Sequence, residues 1–406
     1  MVKNTQKLLI IGHVWPQPKA SAAGEHMMHL IELFMDLEYS IHFVTAAQQP
    51  ENYEDLNGLD VTTASIKINN DDFDEYLKNL KPDIVLFDRF MVEEQFSWRV
   101  KQQCPSALRI LDTEDIHFLR KQRQENIKGK PTEVLSDIAK RELASMYRSD
   151  LSLIISEVEI KLLTEKYGIP KSLLFYLPLL SKQVELNNMP PFEARKDVVF
   201  VGNFLHEPNW HAVQILKKEI WPLVRKKNTN IGLHIYGAYA SDKHKQLQNE
   251  KERFYVHGYV NDLDGTLRNA RLLVAPLYFG AGQKGKLLRA MQCGVPSITT
   301  QVGAEAMQFE KAWPGLIEDD YNAFASALID LYLGKNLWEE KQRNIEVLVN
   351  NHFQYDTYLN KFKEVIFTLR EGVELQRSLN VVGEILWHHS LRSTEFMSRW
   401  IMEKNK

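Results

Sequence analysis

YFGAGQKGKLLRAMQCGVPSITT, Tyr278 to Thr300, is the stretch from which the rest of the chain can be read. A glycine-bracketed loop with two lysines opens onto an amphipathic helix, and Pro296 then admits a short apolar strand. Immediately before it stands RLLVAPLY, a continuous apolar run of the kind a buried parallel strand shows. Strand, loop, helix and strand in that order form one unit of a doubly wound α/β sheet, whose ligands bind beyond the carboxyl ends of the strands. Gly280, Gly282 and Gly285 let the backbone approach a ligand, while free N–H groups at the helix start, with Lys284 and Lys286, favour an anion. The same residues also describe a tight turn with two solvated lysines. Position at a strand end facing a cleft favours the anion.

Working outward, DVVFVGNF, NIGLHIYG and RFYVHGYV lead into this unit, with helical stretches such as NWHAVQILKKEIWPLVRKK between them. An earlier series has the same rhythm: KLLIIGHV, the helix-like EHMMHLIELFMDL, SIHFVTA, DIVLFD, LRILDTED and LSLIIS. Between the series, LPLLSKQVELNNMPPFEARKD is polar and carries Pro190-Pro191, as a linker between separately packed domains does. The expected organisation is therefore an N-terminal domain over 1–187, a second over 188–350 and two or three helices over 351–406.

Composition agrees with two folded domains: 406 residues, 44% hydrophobic and 25% charged. A formal net charge of −3 lacks the basic excess of a nucleic-acid binder, so no nucleic-acid partner is expected. Cys104 and Cys293 are far apart and offer neither a disulfide framework nor a zinc site, which suits a reducing cytoplasm. The N-terminal apolar run is broken by His13 and reads as a strand rather than a leader. No stretch approaches the roughly 20 apolar residues of a membrane span, so membrane contact, if any, is expected to be peripheral. The motifs of metalloproteases, serine hydrolases and P-loop ATPases are lacking.

Four further loops carry candidate chemistry. After the first strand, Ala20 to Gly24 are small residues that permit close approach to an anion, or simply form a βα connection; without G-x-G-x-x-G they do not read as a dehydrogenase turn. In LDTEDIHFLRKQR, Asp112, Glu114, Asp115 and His117 could orient sugar hydroxyls or pass a proton, or serve as helix caps and a structural imidazole. The basic run Arg120, Lys121, Arg123, Lys128 and Lys130 reads as a solvated face, with anionic lipid as the other reading. In FVGNFLHEPN, Gly202 ends a strand, Asn203 and His206 can donate to an anion, and Asn209 is expected to cap the next helix. YVHGYVND ends in a turn that offers Tyr259 and Val260 as contacts to a base.

With these pieces in view, the chain resembles a glycosyltransferase of family 4, with the two-Rossmann-domain GT-B fold. IGHVWPQPKASAAGEH, LDTEDIHFLR, FVGNFLHEPNWHAV, HGYVNDL and RLLVAPLYFGAGQKGKLLRAMQCGVPSITTQVGAEAM carry the resemblance, the last most specifically. It implies a nucleotide-sugar donor, UDP- or GDP-linked, held mainly by the second domain. An acceptor (glycan, lipid-linked or protein) is held mainly by the first, anomeric configuration is retained, and no cofactor or obligatory metal is used. Carried over by position, His117, Lys284 and Lys286 are the catalytic candidates. Gly24, Gly202, Asn203, His206, Tyr259, Val260, Gly282, Gln283 and Arg289 are donor-side, and His13, Asp112 and Asp115 acceptor-side. Surface polysaccharide or glycoconjugate synthesis at the inner face of a membrane would be the setting.

Position 289 departs from the family. Relatives usually have Glu there, the second acid of E-x7-E, set to hydrogen-bond the donor ribose; here it is Arg289, and the first acid's position is Ala281. A guanidinium cannot accept a hydrogen bond. Two other readings follow, a degenerate GT-B protein that binds a partner transferase and a nucleotide-sugar epimerase. The C-terminal helices are expected to pack back on the first domain, with Trp387 and Trp400 alternatively available to a membrane interface or a partner.

Overall fold

The computed structural model describes residues 5–50, 53–309 and 313–404. Among the described residues, thirteen strands form two parallel sheets. The first contains β1 Lys7–Gly12, β2 Ser40–Thr45, β3 Thr62–Ser65, β4 Ile84–Asp88, β5 Leu108–Asp112, β6 Leu151–Ile154 and β7 Leu174–Tyr176, in the order β3-β2-β1-β4-β5-β6-β7. The second contains β8 Lys196–Val201, β9 Leu233–Tyr236, β10 Phe254–Gly258, β11 Ala270–Ala275, β12 Ser297–Thr299 and β13 Gly315–Ile317, in the order β10-β9-β8-β11-β12-β13.

The central strands β4 and β5 (IVLFD and LRILD) are buried throughout because helices cover both sheet faces. Strand order reverses between β1 and β4 in the first sheet and between β8 and β11 in the second. Such switch points open a crevice at the carboxyl ends. The two crevices face each other, so the loops after β1, β5, β8, β10 and β11 line one cleft.

The chain crosses between the domains twice, side by side. On the way out, Ser181 N donates to Phe353 O at 2.7 Å; on the way back, Tyr355 N donates to Ser181 O at 3.0 Å. The returning helix Tyr355–Leu379 buries Tyr358, Phe362, Ile366, Leu369 and Val373 among the apolar residues of the first sheet. Phe362 meets Phe34 edge-on at 5.2 Å. The last helix, Val381–Lys404, seats Trp387 and Leu391 beside Trp98, and the Trp387 indole donates to Arg148 O at 3.1 Å. Trp400 remains 59% exposed. Among the described residues no helix is long and apolar enough to cross a membrane.

Beneath Trp387 the Arg148 guanidinium binds both oxygens of Glu93, and both side chains are buried. A charge buried without its partner is costly. Glu93→Ala should therefore lower stability by ~3–5 kcal/mol, whereas Arg141→Ala, which breaks the exposed pair with Glu94, should cost under ~1 kcal/mol. Equilibrium denaturation followed by tryptophan fluorescence checks both; equal effects would contradict this assignment.

Candidate active site

The second-domain wall of the cleft is built around the helix Gly285–Gln292. Lys284 occupies its N-cap position, and the loop before it holds Gly282 at φ +60°, a left-handed value suited to glycine. The Lys284 ammonium turns back on this loop and donates to the carbonyls of Ala281, at 3.0 Å, and Gly282, at 2.5 Å. The Lys286 ammonium meets Asn209 Oδ1 and lies 4.5 Å from the Phe200 ring centroid. A Cβ at position 202 would sit 2.8 Å from that ammonium, so Gly202 leaves room for it. Burial lowers both lysines, Lys284 to about 8 and Lys286, with Lys284 beside it, to about 7. Two cations held short of full charge at a helix N-terminus form a site that gains from an anion.

The helix after β8 starts at Glu207, earlier than Asn209 suggests, and His206 takes the N-cap position. Asn209 lies inside the helix and uses its side chain otherwise: Nδ2 donates to Asn203 O at 2.9 Å while Oδ1 faces Lys286. It orients the cation rather than capping the helix. His206 lines the cleft with its side chain exposed into it; crowding by the two walls, with Arg120, Lys286 and Lys284 nearby, lowers its pKa and favours the neutral imidazole.

The first-domain wall comes from the loops after β1, β4 and β5. Ser21 caps the helix Ala22–Asp36 by accepting from Gly24 N at 3.0 Å, and Gly24 packs so closely on Gln17 that a Cβ would lie 2.5 Å from its backbone. His117 begins the helix His117–Ile127, whose first N–H groups, on His117 and Phe118, donate to the buried Glu142 carboxylate at 3.0 Å each. Its Nδ1 lies 3.3 Å from Glu142 Oε1 and its ring packs edge-on against Phe90 at 5.5 Å. Asp115 is clamped by Arg120, and although burial opposes ionisation, Arg120 and His117 hold its pKa at about 2.

Behind these groups lies a carboxylate cluster. Asp88, Asp112 and Glu114 bring oxygens within 4.8 Å of one another, a spacing that could hold a metal ion. Positive charge is already supplied from the chain, by His26 at 3.4 Å from Asp112 and Arg89 at 3.5 Å from Asp88. Burial would lower His26, but Asp112 and the acids behind it raise it to about 9. Burial and Asp112 lift Glu114 to about 8, so near neutrality it is largely a neutral carboxylic acid. Arg89 and Glu114 also hold left-handed φ values of 74° and 56°, strain placed at the edge of the cleft.

A cavity of about 510 Å³ lies between the walls. It brings together Gly24, Asp115, His117, Gly202, Asn203, His206, Tyr259, Val260, Gln283, Lys284, Lys286 and Arg289. His13, Asp112 and Gly282 lie outside its lining. His13 is exposed, with its N–H committed to Asp88 Oδ2 at 2.8 Å. Asp112 is wholly buried against His26. Gly282 donates its N–H to Glu159 Oε1 at 2.7 Å, and a Cβ there would strike Ile155 at 2.6 Å. Gln283 lines the cavity but spends its carbonyl on Leu179 N, at 2.9 Å, and its amide on Tyr176 OH and Ala306 O.

Residues that sequence reasoning passed over also reach the cavity: Asp88, Arg89 and Glu25. Glu25 answers the question posed by position 289. Arg289 Nε donates to Asp264 Oδ1 at 2.8 Å, and its Nη1 lies 3.3 Å from Glu25 Oε2. The reversed charge is met by one acid from each domain. The only signal for Glu25 was the GEH that follows the small-residue loop.

Residues 195–333 match the model of the family described as glycosyl transferases group 1. No protein of curated function matches the chain in sequence. Among solved structures, sucrose-phosphate synthase from Thermosynechococcus elongatus aligns with TM-score 0.65 and 16% identity, over 90% of this chain and 99% of that one. HepE of Anabaena, solved with UDP and glucose, aligns with TM-score 0.65 and 11% identity, over 90% and 100%. TarM aligns with TM-score 0.69 and 13% identity, over 89% and 99%. The architecture is that of the GT-B glycosyltransferases, and the matched family segment contains the lysine wall of the cleft.

An anion seated between Lys284 and Lys286 stabilises their charged forms and so raises both pKa values. Binding should therefore take up protons at pH 8, and affinity should fall as pH rises from 7 to 9. Calorimetry with inorganic sulfate, which does not itself ionise between pH 7 and 9, in buffers of different ionisation enthalpy measures the uptake. Proton release, or affinity indifferent to pH, would contradict it.

Proposed function

We propose that this chain is a retaining glycosyltransferase that moves a sugar from a UDP- or GDP-linked donor to a glycan, lipid-linked or protein acceptor. One observation carries the reading: Lys284, Lys286 and the helix start at Gly285 line the same cavity as His117, from the opposite domain. Breaking a glycosyl–phosphate bond leaves charge on the departing diphosphate. Fixed cations in a desolvated cleft stabilise that charge more in the transition state than in the bound donor.

The remaining roles follow from place. One turn of helix, about 5.4 Å, brings the chain from Gly285 to Arg289, a separation comparable to that between a diphosphate and its attached pentose hydroxyls. Arg289 cannot accept hydrogen bonds from such hydroxyls, but Glu25, which Arg289 holds at the cavity wall, can. Tyr259, 39% exposed, and Val260 offer a surface for the base. His117 and the neutral Glu114 lie on the acceptor side, His117 against the transferred sugar and Glu114 as a donor to an acceptor or sugar oxygen. HepE, solved with UDP and glucose, supports a UDP-sugar as the first donor to test.

Hydrolysis or transfer should be measured over a panel of UDP- and GDP-sugars. Lys286→Ala should lower kcat by about 10²–10³, the scale for removing a transition-state charge stabiliser. Glu25→Gln should weaken binding of the nucleoside diphosphate more than that of pyrophosphate. Failure to bind or turn over any member of the panel would reject the reading. One observation favours a second reading, a non-catalytic GT-B protein that binds a partner transferase: Arg289 already occupies Glu25 and Asp264. That reading predicts indifference to Lys286→Ala and co-purification with a second transferase.

A further inference from the structure

The helix His117–Ile127 serves both walls of the cleft. Its first residue is the cavity imidazole of the first domain; less than two turns later Arg123 crosses to the second. Arg123 Nη1 donates to Gly280 O and to Glu305 Oε1, both at 2.8 Å, and Nη2 donates to Glu305 Oε2 at 2.9 Å. Both side chains are about three-quarters buried, so the bidentate pair is not a solvated surface contact.

Gly280 belongs to the loop whose carbonyls hold Lys284. That loop has φ values of +156° at Gly280 and +60° at Gly282, and much of what fixes it comes from the other domain. Arg123 holds Gly280 O, Glu159 holds Gly282 N, and Leu179 N with Tyr176 OH holds the Gln283 side chain. If the domains part, the contacts from Arg123, Glu159 and Tyr176 are lost together. Two glycines then leave the loop free to take other conformations, and Lys284 loses its fixed direction.

We propose that Arg123 is a positioning residue that couples docking of the two domains to assembly of the anion-binding loop. One rigid helix places His117 and this loop in a common frame, so the cation site is complete only when the acceptor-side imidazole is opposite it. Empty or half-open protein then lacks a finished leaving-group site, which limits wasteful hydrolysis of a bound donor. The UDP-affinity and kinetic parts of this inference rest on the transferase reading; the domain-docking part does not.

The test uses the full chain as wild type, Arg123→Ala, Glu305→Ala, the double variant and Arg123→Lys. Three readouts apply: solution scattering without ligand, calorimetric titration with UDP, and kcat and KM for UDP-glucose hydrolysis where wild type turns over. Arg123→Ala should enlarge the ligand-free radius of gyration and weaken UDP about tenfold. It should also lower kcat more than it raises KM. The double variant should be no worse than the poorer single one, and Arg123→Lys should recover part of the loss. Unchanged scattering and UDP affinity in Arg123→Ala, or losses in the two single variants that multiply as independent sites do, would overturn the proposal. Should Arg123→Ala fail to fold, Glu305→Gln, which removes one charge and keeps the shape, gives the same decision. If wild type binds neither UDP nor GDP, the transferase reading falls, while scattering still decides the coupling.

Discussion

Two ammonium groups buried next to each other set the terms for everything else in the cleft. Desolvation disfavours both charged forms; Lys284 lowers Lys286 further, whereas Glu159, Glu305 and Asp115 favour the charge on Lys284 without touching it. They are held by neutral oxygens, the carbonyls of Ala281 and Gly282 and the amide of Asn209, rather than by a direct carboxylate partner. A carboxylate at hydrogen-bond distance would have settled the charge and left nothing for a ligand. Dipoles keep the lysines in place without neutralising them, and the difference remains available to whatever anion enters.

That arrangement explains how far the sequence could be read. The interior strands announce themselves because both faces are buried: KLLIIG, IVLFD and VVFV cannot be anything but apolar. β3, β7 and β13 do not. Thr62–Ser65 is a largely exposed edge, and Leu174–Tyr176 and Gly315–Ile317 are three residues each, so all three take their identity from a neighbouring strand rather than from a pattern of their own. The lysine loop was legible because glycines, cations and a helix start fall within a few residues of each other. Glu25 and the partners of Arg123 and Lys128 were not, because each pair joins residues more than seventy positions apart.

The basic run shows the physical reason plainly. As a string it looks like a solvated face, but its members have separate tasks. Arg120 neutralises Asp115, Arg123 bridges to Glu305, and Lys128 lies 3.5 Å from Glu207. A helix bordering an interdomain cleft is exposed with respect to its own domain and covered with respect to the other. Sequence periodicity reports only the first of these. Asp112 and His13 show the complementary case: their types suit a ligand, but neither lines the cavity, Asp112 being buried against His26 and His13 exposed beside Asp88 and His117.

Position 289 then has a consistent physical meaning. Across the gap, Arg289 on the second-domain helix faces Glu25 on the first. Because Glu25 is held only at 3.3 Å while Asp264 takes the closer contact at 2.8 Å, the guanidinium is anchored to its own domain and leaves Glu25 the more weakly engaged partner. Burial also raises the Glu25 pKa against the pull of Arg289, so this carboxyl is under-solvated as well as under-bonded. A carboxylate short of hydrogen bonds, facing the cavity one helical turn from the cation site, is suited to accept hydroxyl donors. Arg289 offers only donors, and Glu25 supplies acceptor capacity from the opposite wall.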